Sequence, residues 1–296
     1  MVRYRVTHTT TYDYEEMVSI CHNEIRLVPR RTLAQECLRT ILEVEPAPAV
    51  LNSQLDHFGN PLSFFTLEEP HQRMVLTALS ELVLEPRPAP PPDKTIAWNK
   101  LREQLACDLS QEGLAAFSFT FESPLAQMLP ELVRYAAPSF PTGAPVLEAV
   151  VDLTRRIHTD FVYRPGATSV TTPLAEFFAA RAGVCQDFAH LEIACLRALG
   201  LATRYVSGYV RTERPRGGER LVGADASHAW LSVYCGEVGW VDVDPTNDVL
   251  PTDQHLTLAF GRDYGDVSPI KGVLLGGGGH SVEVAVEVVP LEHGLV

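Results

Sequence analysis

The stretch Arg181-Ala182-Gly183-Val184-Cys185-Gln186-Asp187-Phe188-Ala189-His190-Leu191 places a cysteine where a helix begins. The apolar spacing that follows predicts a helix from about Cys185 to Leu199, stopped by Gly200 just past its end. Its inward face holds Phe188, Leu191, Cys195 and Leu199. The first N–H groups of a helix lack internal partners, and the helix dipole carries about half a positive charge there. Both effects favour a thiolate at that position. Gly183 either lets a substrate backbone come close or stops the preceding helix, which Thr172-Pro173 opens and which runs through Ala180.

Working outward, two textures flank this helix. Residues 1 to about 85 read as β-rich: alternation runs from Tyr4 to Tyr14, and further strands fall at Thr40 to Val44, Pro61 to Leu67 and Met74 to Leu84. His57-Phe58-Gly59-Asn60 reads as a turn between two strands, and the spacing suggests a small sandwich or open barrel. Pro86-Arg87-Pro88-Ala89-Pro90-Pro91-Pro92 then suits neither a helix nor a central strand, so residues 86–94 are expected to be an extended linker. Beyond it come helices, one opened by Ser123-Pro124 and running to about Tyr135, another over Pro145 to Thr159. After Ala202 strands return at Thr203 to Val210, Ala229 to Tyr234 and Trp240 to Val243. Arg211 to Arg220 reads as a surface loop, and Val282, Val284, Val286 and Val288 alternate as a last strand. The division is therefore 1–85, 86–94 and 95–296, the last with a C-terminal strand extension.

Composition narrows the class. The chain has 296 residues, 46% hydrophobic and 21% charged, which is ordinary for a globular protein. A formal net charge of -13 argues against a nucleic-acid surface, which needs clustered Lys and Arg. The start lacks the apolar region of a signal peptide, and no run of about 18 apolar residues is long enough to span a membrane. Six cysteines at 21, 37, 107, 185, 195 and 235 form no C-x-x-C pair, which suggests reduced thiols in a cytoplasm. Oligomeric state leaves no trace in the sequence.

A nucleophile needs a base, and the base an orienting group. Ala226-Ser227-His228-Ala229-Trp230 places a histidine at the start of a strand, and Gly239-Trp240-Val241-Asp242-Val243-Asp244-Pro245-Thr246 ends the next strand with an acid. In an antiparallel pair Asp244 returns to the level of His228. Asp242 and Asp244 share a face, so alternation does not choose between them. His190 lies about 140° around the helix from Cys185 and reads as structural or surface. Gln186 and Asp187 fit capping, Cys195 fits core, and Asp225 is available to order the loop before His228. Trp230 and Trp240 wall a cleft or pack the sheet. A zinc site of Cys185, His190 and His228 matches no familiar spacing.

Gly183-Val184-Cys185-Gln186-Asp187-Phe188-Ala189, Ser227-His228-Ala229-Trp230, and Gly239-Trp240 through Asp244-Pro245-Thr246 together resemble the bacterial transglutaminase-like superfamily. The first domain, with Arg26-Leu27-Val28-Pro29-Arg30, looks like the β-rich region often attached to such cores. Gly261-Arg262-Asp263-Tyr264-Gly265-Asp266-Val267-Ser268-Pro269 resembles the segment after the core. The resemblance implies an α+β fold, a β-rich N-terminal domain followed by a papain-like core of helices on an antiparallel sheet. It makes Cys185 the nucleophile, His228 the base and Asp244 the orienting acid. The calcium-binding acids of animal enzymes have no identifiable counterpart, so no metal is expected, and no cofactor. The glutamine or tryptophan that related enzymes place upstream for the oxyanion has no counterpart, since Ala179 and Ala149 stand there. The Cys185 N–H is one candidate donor, and the second is unassigned. The implied activity is acyl transfer from a protein or peptide carboxamide through a thioester. The alternatives are a peptidase or amidase with water as acceptor, and a non-catalytic binding module on the same fold.

Overall fold

The computed structural model describes residues 1–85, 88–211 and 227–291. Most of the loop read over 211–220, Asp225, and positions 86 and 87 of the linker lie outside these residues. In the first unit β1 (Val2–Ile25), β2 (Gln35–Glu45), β3 (Val50–Leu55), β4 (Pro61–Leu67) and β5 (His71–Leu84) form an antiparallel sheet in the order β2-β5-β1-β4-β3. Alternation explains β1, whose Tyr4, Val6, His8 and Thr10 all point inward. The two polar members are satisfied there, His8 Nε2 lying 2.9 Å from Thr10 Oγ1 and Nδ1 lying 3.0 Å from the Tyr209 hydroxyl.

The second unit begins with α1 (Trp98–Cys107) and α2 (Gln111–Phe117), followed by α3 (Pro130–Ala136) and α4 (Val146–Asp160). The sequence pattern marks no element over the first two, and the third helix starts later than the Ser123-Pro124 signal predicts. Pro130 inside a helix would remove a hydrogen bond and clash with the turn before it, so residues 123–126 form a turn and Pro130 takes the first helical position. Next come β6 (Val162–Tyr163), α5 (Leu174–Ala180), β7 (Ala182–Gly183) and α6 (Cys185–Ala198). Strands β8 (Thr203–Val210), β9 (His228–Tyr234), β10 (Trp240–Val243) and β11 (His255–Gly261) form a second antiparallel sheet, ordered β10-β9-β8-β11. A short α7 (Tyr264–Val267) leads to β12 (Ile270–Gly276) and β13 (His280–Leu291).

Those last two strands, which the sequence pattern places after the second unit, both pair with β1, from Ile25↔Ile270 to Arg3↔Leu291. The first unit is thus completed by the C-terminus as one seven-stranded sheet. Alternating valines reveal that a strand has a buried face, and they carry no information about its partner.

The two sheets are joined by a shared core, in which Tyr209, Leu256 and Leu258 of the second pack with Tyr4, Val6, Leu76 and Val288 of the first. The free edge of β11 is also capped from the first unit. Gln35 donates to Thr257 O at 2.7 Å and accepts the Thr257 N–H at 2.8 Å. Asn60 does the same for Phe260, at 2.9 and 3.0 Å. Two side-chain amides therefore stand in for a neighbouring strand, so β11 is held from both sides.

Candidate active site

Helix α6 is the central element, with every residue from Asp187 to Arg197 buried. Its start is built by Asp187, whose Oδ2 accepts the Val184 N–H at 2.8 Å and the Thr168 hydroxyl at 2.6 Å. Burial raises the Asp187 carboxyl pKa, against these hydrogen bonds, which lower it. Gly183 has its own reason. A Cβ there would lie 2.5 Å from Asp187 Oδ2 and 2.7 Å from the Phe177 ring. It does not stop α5, whose C-cap is Arg181 in the left-handed region. Cys185 is the first helical residue, partly buried, and its N–H and that of Gln186 have no intrahelical acceptor.

The fold brings His228 to this cysteine. Strand β9 is central in the second sheet, and α6 packs across it. Gly208, paired with His228, leaves room for the Trp230 ring, since a Cβ there would overlap that ring and the Leu256 carbonyl. Trp230 is fully buried, its ring centroid 6.1 Å from that of His228, and its Nε1 donates to Asp242 Oδ2 at 3.1 Å. It packs the sheet behind the site. Trp240 packs against Phe119 and Tyr234, both at 5.5 Å.

Asp244 follows β10 and is fully buried. Its Oδ2 lies 2.8 Å from His228 Nε2, which leaves Nδ1 for the sulfur of Cys185. Burial pushes the imidazole pKa down. The Asp244 charge and hydrogen bond override that, the Cys185 side chain adds to them, and the net result is about 10. Asp244 is the mirror case: burial raises its carboxyl pKa, while His228 and His255 bring it well below the usual range. The choice that alternation left open is made by the turn. After Val243 the chain leaves the strand, the Thr246 N–H donates to Asp244 Oδ1 at 2.9 Å, and Asp242 is left to Trp230.

Four neighbours of the site among the described residues escaped the sequence. Asn247 donates to Asp244 Oδ2 at 2.7 Å, and its place three residues on was the only hint. His255 Nε2 meets the same oxygen at 3.0 Å from β11, with no local signal. Tyr205 and Tyr163 sit close enough to Cys185 that its charge adds to burial in raising both phenol pKa values. His190 is structural: Nε2 accepts the Tyr264 N–H at 3.1 Å, and burial pushes its pKa down to about 4. That contact removes it from any ligand set with Cys185. His228, Asp244 and His255 bring three ligand-type atoms within 4.8 Å of one another, already joined by the hydrogen bonds above.

A partly exposed thiol at a helix start, with an imidazole and a buried carboxylate near it, stands on an α+β scaffold of papain-like fold. The chain belongs to the transglutaminase-like superfamily, which matches residues 135–245, with the bacterial transglutaminase-like N-terminal region over residues 4–83. It is 41% identical, over 98% of its length and 93% of theirs, to uncharacterized proteins of Mycobacterium tuberculosis (strain ATCC 25618 / H37Rv) and Mycobacterium bovis. A stretch of 116 residues, 38% of the chain and 17% of the relative, is 37% identical to a protein-glutamine gamma-glutamyltransferase of Pseudomonas aeruginosa. The fold is shared with a candidate cysteine protease from Cytophaga hutchinsonii, at a TM-score of 0.76 and 23% identity, covering 100% of this chain and 92% of that one.

Proposed function

We propose that this protein is a cysteine-dependent acyltransferase acting on carboxamides of a protein or peptide. The observation that carries the reading is His228 bound through Nε2 to the buried Asp244, with burial overridden in favour of a charged ring and Cys185 near enough to add to that effect. The Cys185 sulfur attacks the carboxamide carbon, and the negative charge moves to the carbonyl oxygen, beside the free N–H groups of Cys185 and Gln186. The C–N bond breaks as His228 gives its proton to the departing nitrogen, leaving a thioester on Cys185. An incoming amine then loses a proton to His228, attacks the same carbon and releases the sulfur. Asp244 keeps the ring oriented throughout and balances its charge.

Water in place of the amine makes the same site a hydrolase, and both outcomes have a namesake among the similar proteins, a glutamyltransferase and a candidate protease. The test is incubation with glutamine-containing peptides, with and without a primary amine, read by mass spectrometry. Amine adducts that vanish in Cys185→Ala support transfer, and acid products alone support hydrolysis. Unaltered peptides across a broad library move the fold towards a binding role. The proposed compartment is the cytoplasm, where six unpaired thiols suit a reducing environment. Neither nucleic acid nor membrane is proposed as a partner, in keeping with the acidic charge balance.

A further inference from the structure

Asp244 Oδ2 accepts hydrogen bonds from three side chains: His228 Nε2 at 2.8 Å, Asn247 Nδ2 at 2.7 Å and His255 Nε2 at 3.0 Å. Its other oxygen accepts the N–H groups of Thr246 at 2.9 Å and Asn247 at 3.2 Å. The carboxylate is therefore held in place without His255, by four donors besides it. Yet His255 is almost fully buried, with a ring 5.1 Å from Trp230 in an edge-on contact and 6.0 Å from the His228 ring. Its Nδ1 is buried with no hydrogen-bond partner among the described residues. A buried polar atom without a partner is destabilising, so a ring used only for packing would be better as phenylalanine. Nε2 is the one polar atom of this ring that is used, and it is spent on the oxygen that holds His228.

We propose that His255 acts through Asp244 as a positioning residue, sharing the carboxylate oxygen that binds His228 and so setting how tightly His228 keeps its proton. Two N–H donors on one oxygen compete. Each draws electron density from it, and the proton of His255 also lies close to that of His228, where it disfavours the charged ring. An imidazolium held too tightly is slow to release its proton to a leaving nitrogen, and acid–base catalysis works best when that affinity is moderate. The first unit takes part indirectly, because Gln35 and Asn60 fix the edge of the strand that carries His255. Among the described residues, the other titratable groups near the pair are Cys185 and, more distantly, Glu192 from α6, which in turn feels Asp248, ion-paired with Arg155 at 3.6 Å. Asp242 on β10 is taken by Trp230.

The inference rests on the Cys185–His228–Asp244 reading and is tested separately from it. In protein labelled with 15N-histidine, NMR should find His255 protonated on Nε2. Titration of the His228 ring should shift upward in His255→Phe, the proton being held about three- to tenfold more tightly, as expected for losing one competing hydrogen bond of about 1 kcal/mol. His255→Gln, which keeps an N–H in reach, should restore the wild-type midpoint. Protonation of His255 on Nδ1 alone would overturn the proposal, even if His255→Phe fails to fold. So would a His228 midpoint in His255→Phe that stays put or falls while thermal stability drops. The underlying reading fails by a different sign: Cys185→Ser leaves the His228 titration untouched and Cys185 alkylates like an ordinary exposed thiol.

Discussion

Glu192 stands about two turns after Cys185 on the same face of α6, fully buried. Its Oε1 accepts the Thr154 hydroxyl at 2.8 Å, and Oε2 has no partner among the described residues. Burial, with the charges of Asp244 and Asp248 adding and the Thr154 bond opposing, raises its carboxyl from 4.5 to about 8. Near neutrality the folded protein therefore holds a proton that the unfolded chain has released. The contribution of this group to stability is fully present below about pH 4.5, where both states are protonated, and it is lost through the window up to about 8. The slope is at most about 1.4 kcal/mol per pH unit, so this one group removes about 2–3 kcal/mol between pH 5 and pH 7. Glu192→Gln cannot ionise. Its absolute stability depends on how the amide nitrogen is accommodated where Oε2 was, but its difference from wild type should grow by those 2–3 kcal/mol over the same interval. Urea unfolding of both proteins at pH 5, 6, 7 and 8 measures this, because every other titrating group cancels in the comparison. A difference that stays flat within about 0.5 kcal/mol would refute the claim that Glu192 is buried as the neutral acid.

Further outcomes are expected. Because His228 keeps its proton up to about pH 10, Cys185 should react with iodoacetamide at pH 6 about tenfold faster than the exposed Cys107; peptide mapping should show that advantage shrinking in His228→Ala. Asp244→Ala removes the partner that overrides burial, so the His228 ring should lose its charge at neutral pH, visible as a collapse of its NMR titration midpoint to below the ordinary histidine value. Gly183→Ala forces a Cβ against Asp187 and Phe177, and should cost about 1–3 kcal/mol in chemical unfolding while lowering the pH 6 reactivity of Cys185. Asn60→Ala strips the Phe260 N–H and carbonyl of their partners, with an expected loss of about 1–3 kcal/mol and faster amide exchange along β11. Cleavage within residues 86–94 should leave the two fragments bound to each other on gel filtration, since β1 stays zipped to β13 from Tyr14↔His280 to Arg3↔Leu291.

The sequence by itself determined whatever depends on near neighbours. Alternation in Tyr4 to Tyr14 and Thr203 to Val210, the amphipathic run of α4, and the start and glycine stop of α6 follow from side-chain periodicity and backbone preference, which a short window contains. Cys185, His228 and Asp244 could be picked out as candidates because each lies in a compact motif at an element boundary. Pairing was decided elsewhere. Whether the valines of β13 joined the second unit or closed the first sheet depended on which edge lay open when the chain returned, and that edge was formed by residues some 280 positions earlier. The tertiary structure also decided between Asp242 and Asp244, which alternation treats alike, by turning the chain after Val243 so that one acid met Trp230 and the other His228. His255 is the clearest case. Nothing within several residues of it suggests chemistry, and its meaning comes from an oxygen 3.0 Å away that belongs to a different part of the sheet.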